Sequence, residues 1–407
     1  MVLIQTPGNM NEYCYTNLYR NNDKQSFKKK SKMLERFKAD QNEIVFVDSK
    51  SLEKISKEIL VKEGMRPSFA ASVSEALLAA DIRGADTHGA SNLIQPYVDW
   101  IRNKKTNPDP ILKKVQDFAA IANFDADNGL VTGFGKEAMN IAIGKAKKFG
   151  VGVVTIKNAG HSGAIGVHAM HAVEKDMIGM VMTAVNPIVV PTFGAEQRLG
   201  TNPIAVAAPA NNEADFLFDV ATSTIAGGKA KLAELAGNKL GPYTIAELNG
   251  EPIKDDVFLP DMKFEDILFL PFGGSRESGS HKGYGFAMVA EIMSGILSGC
   301  ESLMINNTRN DPRGALNSHF FAAFNIAAFG DVEKFKTNMD QMLKKLKETK
   351  PSPGNKRVIY PGLLEREEEI FRIKNGIPIH KNLVEWLDSL SKQYGIEKIH
   401  RKVGTNR

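Results

Sequence analysis

The first regular segment of the chain repeats apolar residues every three or four positions. This spacing predicts two helices, one that Ser51 caps and one that Pro67 opens. The first helix is expected to end near Gly64 and the second near Gly84. The two helices should form a hairpin that delivers the polar segment 86–89 to its end.

From residue 119 the pattern changes to short β-rich runs, separated by glycine-containing turns and by one clear helix after Gly135. Strands that alternate with helices indicate a three-layer α/β sheet. The last two strand candidates are joined by a short link, which predicts an antiparallel hairpin and therefore a mixed sheet. The strand candidates are 119–124, 151–156, 178–183, 204–208 and 216–220.

The pattern divides the chain into three parts. Residues 119–310 form the expected α/β domain, and residues 45–118 together with 311–407 form the expected helical domain. Residues 1–44 form a basic extension. Residues 1–38 hold eight Lys or Arg and three acids, 8 − 3 = +5, which equals the net charge of the whole chain. The body is therefore neutral, and a nucleic-acid partner is not expected, although the lysines of 28–32 could touch phosphates.

The amino-acid composition further narrows the class of protein. The 407 residues are 43% hydrophobic and 24% charged, which is typical of globular proteins. Cys14 and Cys300 are too few for a disulfide framework. The most apolar stretch, 286–300, carries one charge at Glu291 and is shorter than the ~20 residues of a membrane span, so it predicts a buried helix with Met288 and Met293 in the core. We expect a cytoplasmic protein without a membrane partner.

Three glycine-flanked polar segments stand out in otherwise apolar sequence. Neither a Gly-x-Gly-x-x-Gly motif nor a phosphate loop occurs at a usable place, so a nucleotide site must be built in another way. His161 follows a strand candidate, at the end where α/β sheets bind ligands. Lys282 opens a helix, where main-chain N–H groups favour a diphosphate. The segments are 80–89, 157–166 and 280–285.

The other histidines are expected to have structural roles. A lone histidine is most often a structural hydrogen-bonding group. The spacing of His161, His168 and His171 matches no zinc pattern and lacks a carboxylate or cysteine at helical spacing, so no metal site is expected. Histidines with the structural interpretation are His168, His171, His319 and His400.

These segments resemble the malate/L-lactate dehydrogenase type II family, which includes ureidoglycolate and sulfolactate dehydrogenases and cyclic-imine reductases. The resemblance runs from about Val47 to Glu365 and includes 200–203 (Gly-Thr-Asn-Pro), 218–223 and 360–362. It implies a three-layer α/β/α mixed sheet that binds NAD(P) without a Rossmann fold, as in sulfolactate dehydrogenase, with a helical domain from both chain ends. It also implies a homodimer. The stretch from His161 to Pro209 looks most similar to ureidoglycolate dehydrogenase.

The resemblance also implies roles for particular residues. His161 would be the proton acceptor, a role that suits histidine because its pKa lies near neutral pH. Thr87 and His88 would orient the substrate. The cofactor, NAD or NADP, would be contacted by Asp219, Val220, Ala221, Lys282 and Gly362. The implied activity is hydride transfer between nicotinamide and a small 2-hydroxy or 2-oxo acid.

One difference from the family pattern leaves alternative functions open. Where the family usually has an arginine three residues after the His-Gly pair, this chain has Asn92. An arginine would hold a substrate carboxylate with two hydrogen bonds, so the preferred acid could differ. A catalytically silent nucleotide-binding or scaffolding relative and a cyclic-imine reductase remain alternatives, and the presence of His161 favours an enzyme.

Overall fold

A computed structural model of the chain describes residues 41–235, 237–259, 266–305, 311 and 316–402. Nearly all of the predicted basic extension, including its lysine cluster, therefore lies outside the described residues. No helix in the described ranges is long and apolar enough to cross a membrane.

Five of the described strands follow the predicted β-rich runs of the sequence. The predicted strands at 204–208 and 216–220 are confirmed to the residue. In chain order the strands are β1 (Ile44–Val47), β2 (Lys113–Phe118), β3 (Ile121–Asp125), β4 (Val151–Ala159), β5 (Met177–Ala184), β6 (Ile204–Ala208), β7 (Phe216–Val220), β8 (Ile245–Ala246), β9 (Leu268–Phe269), β10 (Asn317–Asn325) and β11 (Ile377–His380).

The helices begin and end close to the predicted signals. Asp48, and not Ser51, caps the first helix, because the Asp48 carboxylate accepts a hydrogen bond from the Ser51 N–H at 3.0 Å. In chain order the helices are α1 (Ser49–Lys62), α2 (Pro67–Ile82), α3 (Ala90–Arg102), α4 (Val131–Phe149), α5 (Ile165–Val173), α6 (Gly227–Leu235), α7 (Ser280–Ala290), α8 (Val332–Lys347), α9 (Leu363–Asn375) and α10 (Lys381–Tyr394).

A seven-stranded sheet with the order β2-β3-β4-β10-β5-β6-β7 forms the centre of the fold. Strands β3 and β4 are parallel, and the other neighbouring pairs are antiparallel. The sheet is mixed, as predicted, and β6 and β7 form the predicted hairpin.

Two strands of this sheet lie in segments for which the pattern predicts no strand. The central strand β10 contains the run Phe-Phe-Ala-Ala at 320–323, which is buried on both faces and therefore does not alternate. The edge strand β2 is exposed along its whole length, and its charged residues protect the edge from further pairing. Both strands fall within the ranges predicted for the helical domain, so the helical interpretation is wrong for β2 and β10. The division into domains stays a prediction.

Helices cover both faces of the sheet. On one face, Met139 of α4 shares a core with Ile156 and Phe321. On the other face, Ala290 of α7 shares a core with Phe320. Adjacent residues of β10 thus point into opposite cores, as successive side chains of a strand do. The three-layer α/β/α arrangement is confirmed.

The two ends of the described chain meet in a helical unit. Strand β1 pairs antiparallel with β11, so that Val47 lies opposite Ile377. Helix α10 packs against α1, and α9 contacts α2. A helical region built from both chain ends is therefore present, as the resemblance implies.

The stretch 286–300 differs most from its prediction. Helix α7 continues into a π-helical turn, Glu291–Gly295, and a 3₁₀ turn. Its single charge, Glu291, is buried and accepts hydrogen bonds from Ser302 Oγ and Leu303 N–H, both at 2.8 Å. The expectation of a buried helix with Met288 in the core is wrong, because composition does not reveal which face of a helix meets the protein. The exposed apolar side chains are Phe286, Met288, Val289, Ile292, Ile296 and Leu297, which we call the α7 apolar face.

Candidate active site

An ion-pair network fixes the turn that carries Thr87 and His88. The turn is a short 3₁₀ helix, Asp86–His88, after the end of α2. Arg372 of α9 is buried and pairs with Asp86 and, at 2.8 Å, with Glu368. Its guanidinium also donates to the main-chain oxygen of Asp81 at 2.6 Å. The C-terminal part of the chain thus positions a turn near its N-terminal part.

The structure brings Thr87, His88 and His161 together. The Thr87 hydroxyl lies 2.8 Å from Nδ1 of His88. The rings of His88 and His161 are stacked, with centroids 5.7 Å apart and planes 9° from parallel. The predicted catalytic residues therefore form one cluster, and both rings are half-buried.

His161 is held through only one of its ring nitrogens. It follows strand β4, and its Nδ1 accepts a hydrogen bond from the Gly163 N–H at 3.1 Å and lies 2.9 Å from the Tyr97 hydroxyl. In the described part of the chain no group forms a hydrogen bond with Nε2. One nitrogen thus orients the ring while the other is open to a ligand.

Both rings of the cluster are neutral at neutral pH. Burial lowers the pKa of His161 to about 3, and the neighbouring His88 and His319 contribute in the same direction. Burial, together with the charge of Lys229, lowers the pKa of His88 to about 4. Both imidazoles are therefore in the form that can accept a proton, but the pKa of His161 lies well below the near-neutral value expected from the sequence, because the ring is desolvated.

Tyr97 is a site residue that the sequence does not reveal. It lies on α3 among buried apolar residues, and its hydroxyl is 2.7 Å from Thr132 Oγ1 as well as 2.9 Å from His161. Burial raises its pKa above the usual tyrosine value, so the phenol stays protonated. A tyrosine in an apolar helical stripe has the pattern of a core residue, and only its hydroxyl contacts show otherwise.

Lys229 is a second candidate site residue outside the predicted set. It lies in the first turn of α6, directly after Gly228, and a Cβ placed on Gly228 would be 3.5 Å from the Thr87 Cβ. Burial lowers the pKa of Lys229, and no described residue pairs with its ammonium. The criterion that singles out His161 and Lys282, a polar residue beside glycines, also applies to Lys229.

Asn92 does not contribute a charge to the cluster. Its side chain is exposed, and its amide donates to the main-chain oxygen of Asp86 at 2.8 Å. Lys229 is a cation near this turn, since its charge acts on His88.

Asp219 approaches the His161 segment from strand β7. Its carboxylate accepts a hydrogen bond from the Gly166 N–H at 2.7 Å, and a Cβ on Gly166 would collide with that carboxylate. Glycine at 166 is therefore needed for this contact. The residue is exposed on the strand, and its carboxylate is held by the main chain of the His161 segment.

Lys282 lies near the end of the same strand. The main-chain oxygen of Thr222, directly after Val220 and Ala221, accepts a hydrogen bond from the Phe272 N–H at 2.7 Å. The main chain of Phe272 in turn contacts Gly283, which has no room for a side chain. Lys282 is exposed at the start of α7.

Gly362 lies at the other end of β7. Its φ is +100°, a backbone conformation that favours glycine, and a Cβ there would collide with the main chain at Asp215 and Leu217. The structure therefore places Gly362 beside the beginning of the strand, whereas Asp219, Val220 and Ala221 are near its end. A ligand that contacted both ends would have to extend along β7.

Two other features lie outside this cluster. A surface depression of about 440 Å³ is lined by residues of α2 and α4, among them Ser72, Lys136 and Asn140, and by none of the predicted site residues. Among the described residues, no group of three or more His, Cys, Asp or Glu side chains is arranged to hold a metal ion.

Comparison with known proteins gives the family. The malate/L-lactate dehydrogenase family model matches residues 47–388. The malate dehydrogenase of Pyrococcus abyssi is 36% identical over 83% of this chain and 92% of its own length. The ureidoglycolate dehydrogenase (NAD(+)) of Escherichia coli is 30% identical over 84% of this chain and 95% of its own length.

Solved structures agree with the sequence match. The malate dehydrogenase of Entamoeba histolytica superposes with a TM-score of 0.82 at 31% identity, covering 87% of this chain and 99% of that one. The sulfolactate dehydrogenase of Methanocaldococcus jannaschii superposes with a TM-score of 0.75 at 33% identity, covering 86% and 98%. The chain belongs to the malate/L-lactate dehydrogenase family and is a hydroxy-acid dehydrogenase.

Proposed function

We propose that this chain moves a hydride between a nicotinamide cofactor and a small 2-hydroxy or 2-oxo acid, with His161 as the acid–base residue. The observation that carries the proposal is the His161 ring, fixed at Nδ1, stacked on His88 and open at Nε2. A half-buried imidazole with one free nitrogen suits proton exchange with a ligand oxygen.

The residues near β7 fit a dinucleotide. The ammonium of Lys282 is exposed beside the start of a helix, a setting that favours a diphosphate. The Asp219 carboxylate is also exposed and could accept hydrogen bonds from ribose hydroxyls. Asp219, Val220, Ala221, Lys282 and Gly362 would hold NAD or NADP, and the bound cofactor would supply the hydride acceptor or donor.

Proton movement follows from the geometry of His161. In the oxidising direction, the alcohol proton moves to Nε2 while the carbon–hydrogen bond breaks and its electron pair leaves as hydride. A carbonyl forms at the same carbon. In the reducing direction, Nε2 of protonated His161 returns the proton to the carbonyl oxygen.

Lys229 and Thr87 would hold the acid. The ammonium has no protein partner in the described residues and lies beside the Thr87–His88 turn, so a substrate carboxylate could form a charge-assisted hydrogen bond with it. This contact would take the place of the arginine that is absent at Asn92.

A substrate screen tests the proposal. The purified protein is mixed with NADH or NADPH and a panel of cyclic imines and of malate-, lactate-, sulfolactate- and ureidoglycolate-type 2-oxo acids, and absorbance of the reduced nicotinamide is followed. We expect turnover with at least one acid and its loss in His161→Asn. Turnover of a cyclic imine alone would favour the reductase alternative, and no turnover with any compound would favour a silent relative.

We also propose that the protein is a cytoplasmic homodimer. The α7 apolar face supports self-association, because exposed apolar patches of this kind commonly mark interfaces. Light scattering after gel filtration should give twice the chain mass, and Ile292→Lys with Ile296→Lys should give the monomer. A monomeric wild type would contradict the dimer.

A further inference from the structure

A closed chain of hydrogen-bonding groups lies behind His161. Nδ1 of His161 is 2.9 Å from the Tyr97 hydroxyl, which is 2.7 Å from Thr132 Oγ1. Thr132 Oγ1 is 3.1 Å from the main-chain oxygen of His161 itself. Tyr97 and Thr132 are buried, so water cannot replace either hydroxyl without rearrangement.

Two arrangements of the hydroxyl hydrogens are compatible with these distances. In the first, Thr132 donates to Tyr97 and Tyr97 donates to Nδ1, which also accepts from the Gly163 N–H. Neutral His161 then carries its proton on Nε2. In the second, Nδ1–H donates to Tyr97, Tyr97 donates to Thr132, and Thr132 donates to the main-chain oxygen of His161. Nε2 then has a free lone pair, and the Gly163 N–H loses Nδ1 as its acceptor.

We propose that the Tyr97–Thr132 hydroxyl pair selects which nitrogen of His161 carries the proton. The two arrangements differ in the rotation of two O–H bonds and in which ring nitrogen carries the proton, and no heavy atom has to move. The partner of one imidazole nitrogen determines the protonation of the other. Without the hydroxyl pair, the Gly163 N–H alone would hold Nδ1 as an acceptor.

Which nitrogen of His161 carries the proton matters for the reaction, and this step rests on the proposed function. Only the second arrangement leaves Nε2 able to accept the alcohol proton. It also stabilises protonated His161, because Tyr97 then accepts from Nδ1–H. Tyr97 and Thr132 are therefore positioning residues that act through His161 and need not touch the substrate.

Isosteric variants test this inference. Thr132→Val removes the acceptor for the Tyr97 O–H, so that Tyr97 must donate to Nδ1 and Nε2 remains protonated. We expect kcat for oxidation to fall ~10–100-fold with little change in the KM of the acid, part of the ~10²–10⁴-fold that acid–base assistance provides. Tyr97→Phe should have a similar effect, and Thr132→Ser should restore most of the rate.

Thr183→Val is the matched control. The Thr183 hydroxyl contacts another buried histidine, Nδ1 of His319, at 3.0 Å, and belongs to neither the chain behind His161 nor the candidate site. It should lower stability without lowering kcat. An equal loss of kcat in Thr183→Val and Thr132→Val would overturn the inference, since the effect would then be one of general stability.

A second measurement does not depend on turnover. Nitrogen-15 NMR of histidine-labelled, ligand-free protein distinguishes Nδ1–H from Nε2–H imidazole. We expect Thr132→Val and Tyr97→Phe to shift the His161 signals towards the Nε2–H form and Thr132→Ser to resemble the wild type. Unchanged His161 signals in both isosteric variants would contradict the inference even if the protein has a different substrate, whereas failure of the substrate screen would contradict only the proposed function.

Discussion

Two pairs of histidines differ in their access to ligands, although burial lowers the pKa of all four. His88 and His161 are half-buried, stacked on each other, and bonded through Nδ1 only. His168 and His319 are at most 1% exposed. His319 is bonded at both nitrogens, to Thr183 and to a main-chain oxygen, and Nε2 of His168 is bonded to a main-chain oxygen.

A lowered pKa does not by itself identify a catalytic histidine in this protein. Burial lowers the pKa of His319 to about 3 and that of His168 to about 4, the same range as for His161 and His88. The difference is a ring nitrogen that is both unpaired and reachable. His168 has an unpaired Nδ1, but its burial keeps ligands away. Geometry therefore separates the site from the core.

The largest expected effect is at His161. His161→Asn keeps a hydrogen-bonding side chain but cannot titrate, so kcat should fall ~10²–10⁴-fold. Cofactor affinity, measured by nicotinamide fluorescence, should stay within a few-fold, because the ring is assigned to the substrate oxygen. Turnover within a few-fold of the wild type would move the acid–base role to His88.

A smaller effect is expected at Lys229. A hydrogen bond to a charged group contributes about 1.5–3 kcal/mol, so Lys229→Met should raise the KM of the acid ~10–150-fold. The KM of the cofactor should not change. Lys231→Met, on the exposed side of the same helix, is the control and should leave both constants unaltered. If the two variants behave alike, the carboxylate binds elsewhere.

Replacing a histidine of the buried pair, His168 and His319, should lower the stability of the protein and not its turnover. His319→Ala removes the partner of the Thr183 hydroxyl and of the Gly160 main-chain oxygen inside the central sheet. A buried group left without a partner costs about 1–3 kcal/mol of unfolding free energy. Urea unfolding should show this loss, and kcat at 25 °C should remain within a few-fold of the wild type. A loss of kcat as large as that of His161→Asn would erase the distinction between the pairs.

The sequence predicts those features that depend on local pattern. The hairpin β6–β7 is recognisable because a short polar link separates two apolar runs, and His161 is recognisable because it follows a strand among glycines. Strand β10 is not recognisable from the sequence, because its run of phenylalanine and alanine has no β-branched residue and no alternation of apolar and polar residues. Tyr97 is missed for another reason: its role depends on contacts between segments far apart in the chain. Lys229 follows two glycines, a local signal that could have been used, but its position near Thr87 depends on the same kind of long-range contact.

The pH dependence of oxidation gives the smallest and most specific test. Burial lowers the pKa of His161 from 6.5 to about 3 in the free protein, so the neutral base is present above that pH. The acid limb of kcat/KM should therefore lie well below the range of about 6 to 7 that an unperturbed histidine gives.

A bound carboxylate near His88 and Lys229 brings negative charge towards His161 and favours its protonated form. The acid limb of kcat should then lie at higher pH than that of kcat/KM. Rates measured from about pH 3 to 8 in the wild type would show this order. Limbs that coincide at about pH 6 to 7 would mean that His161 is solvated as freely as a surface histidine and that the contrast with His168 and His319 does not exist in solution.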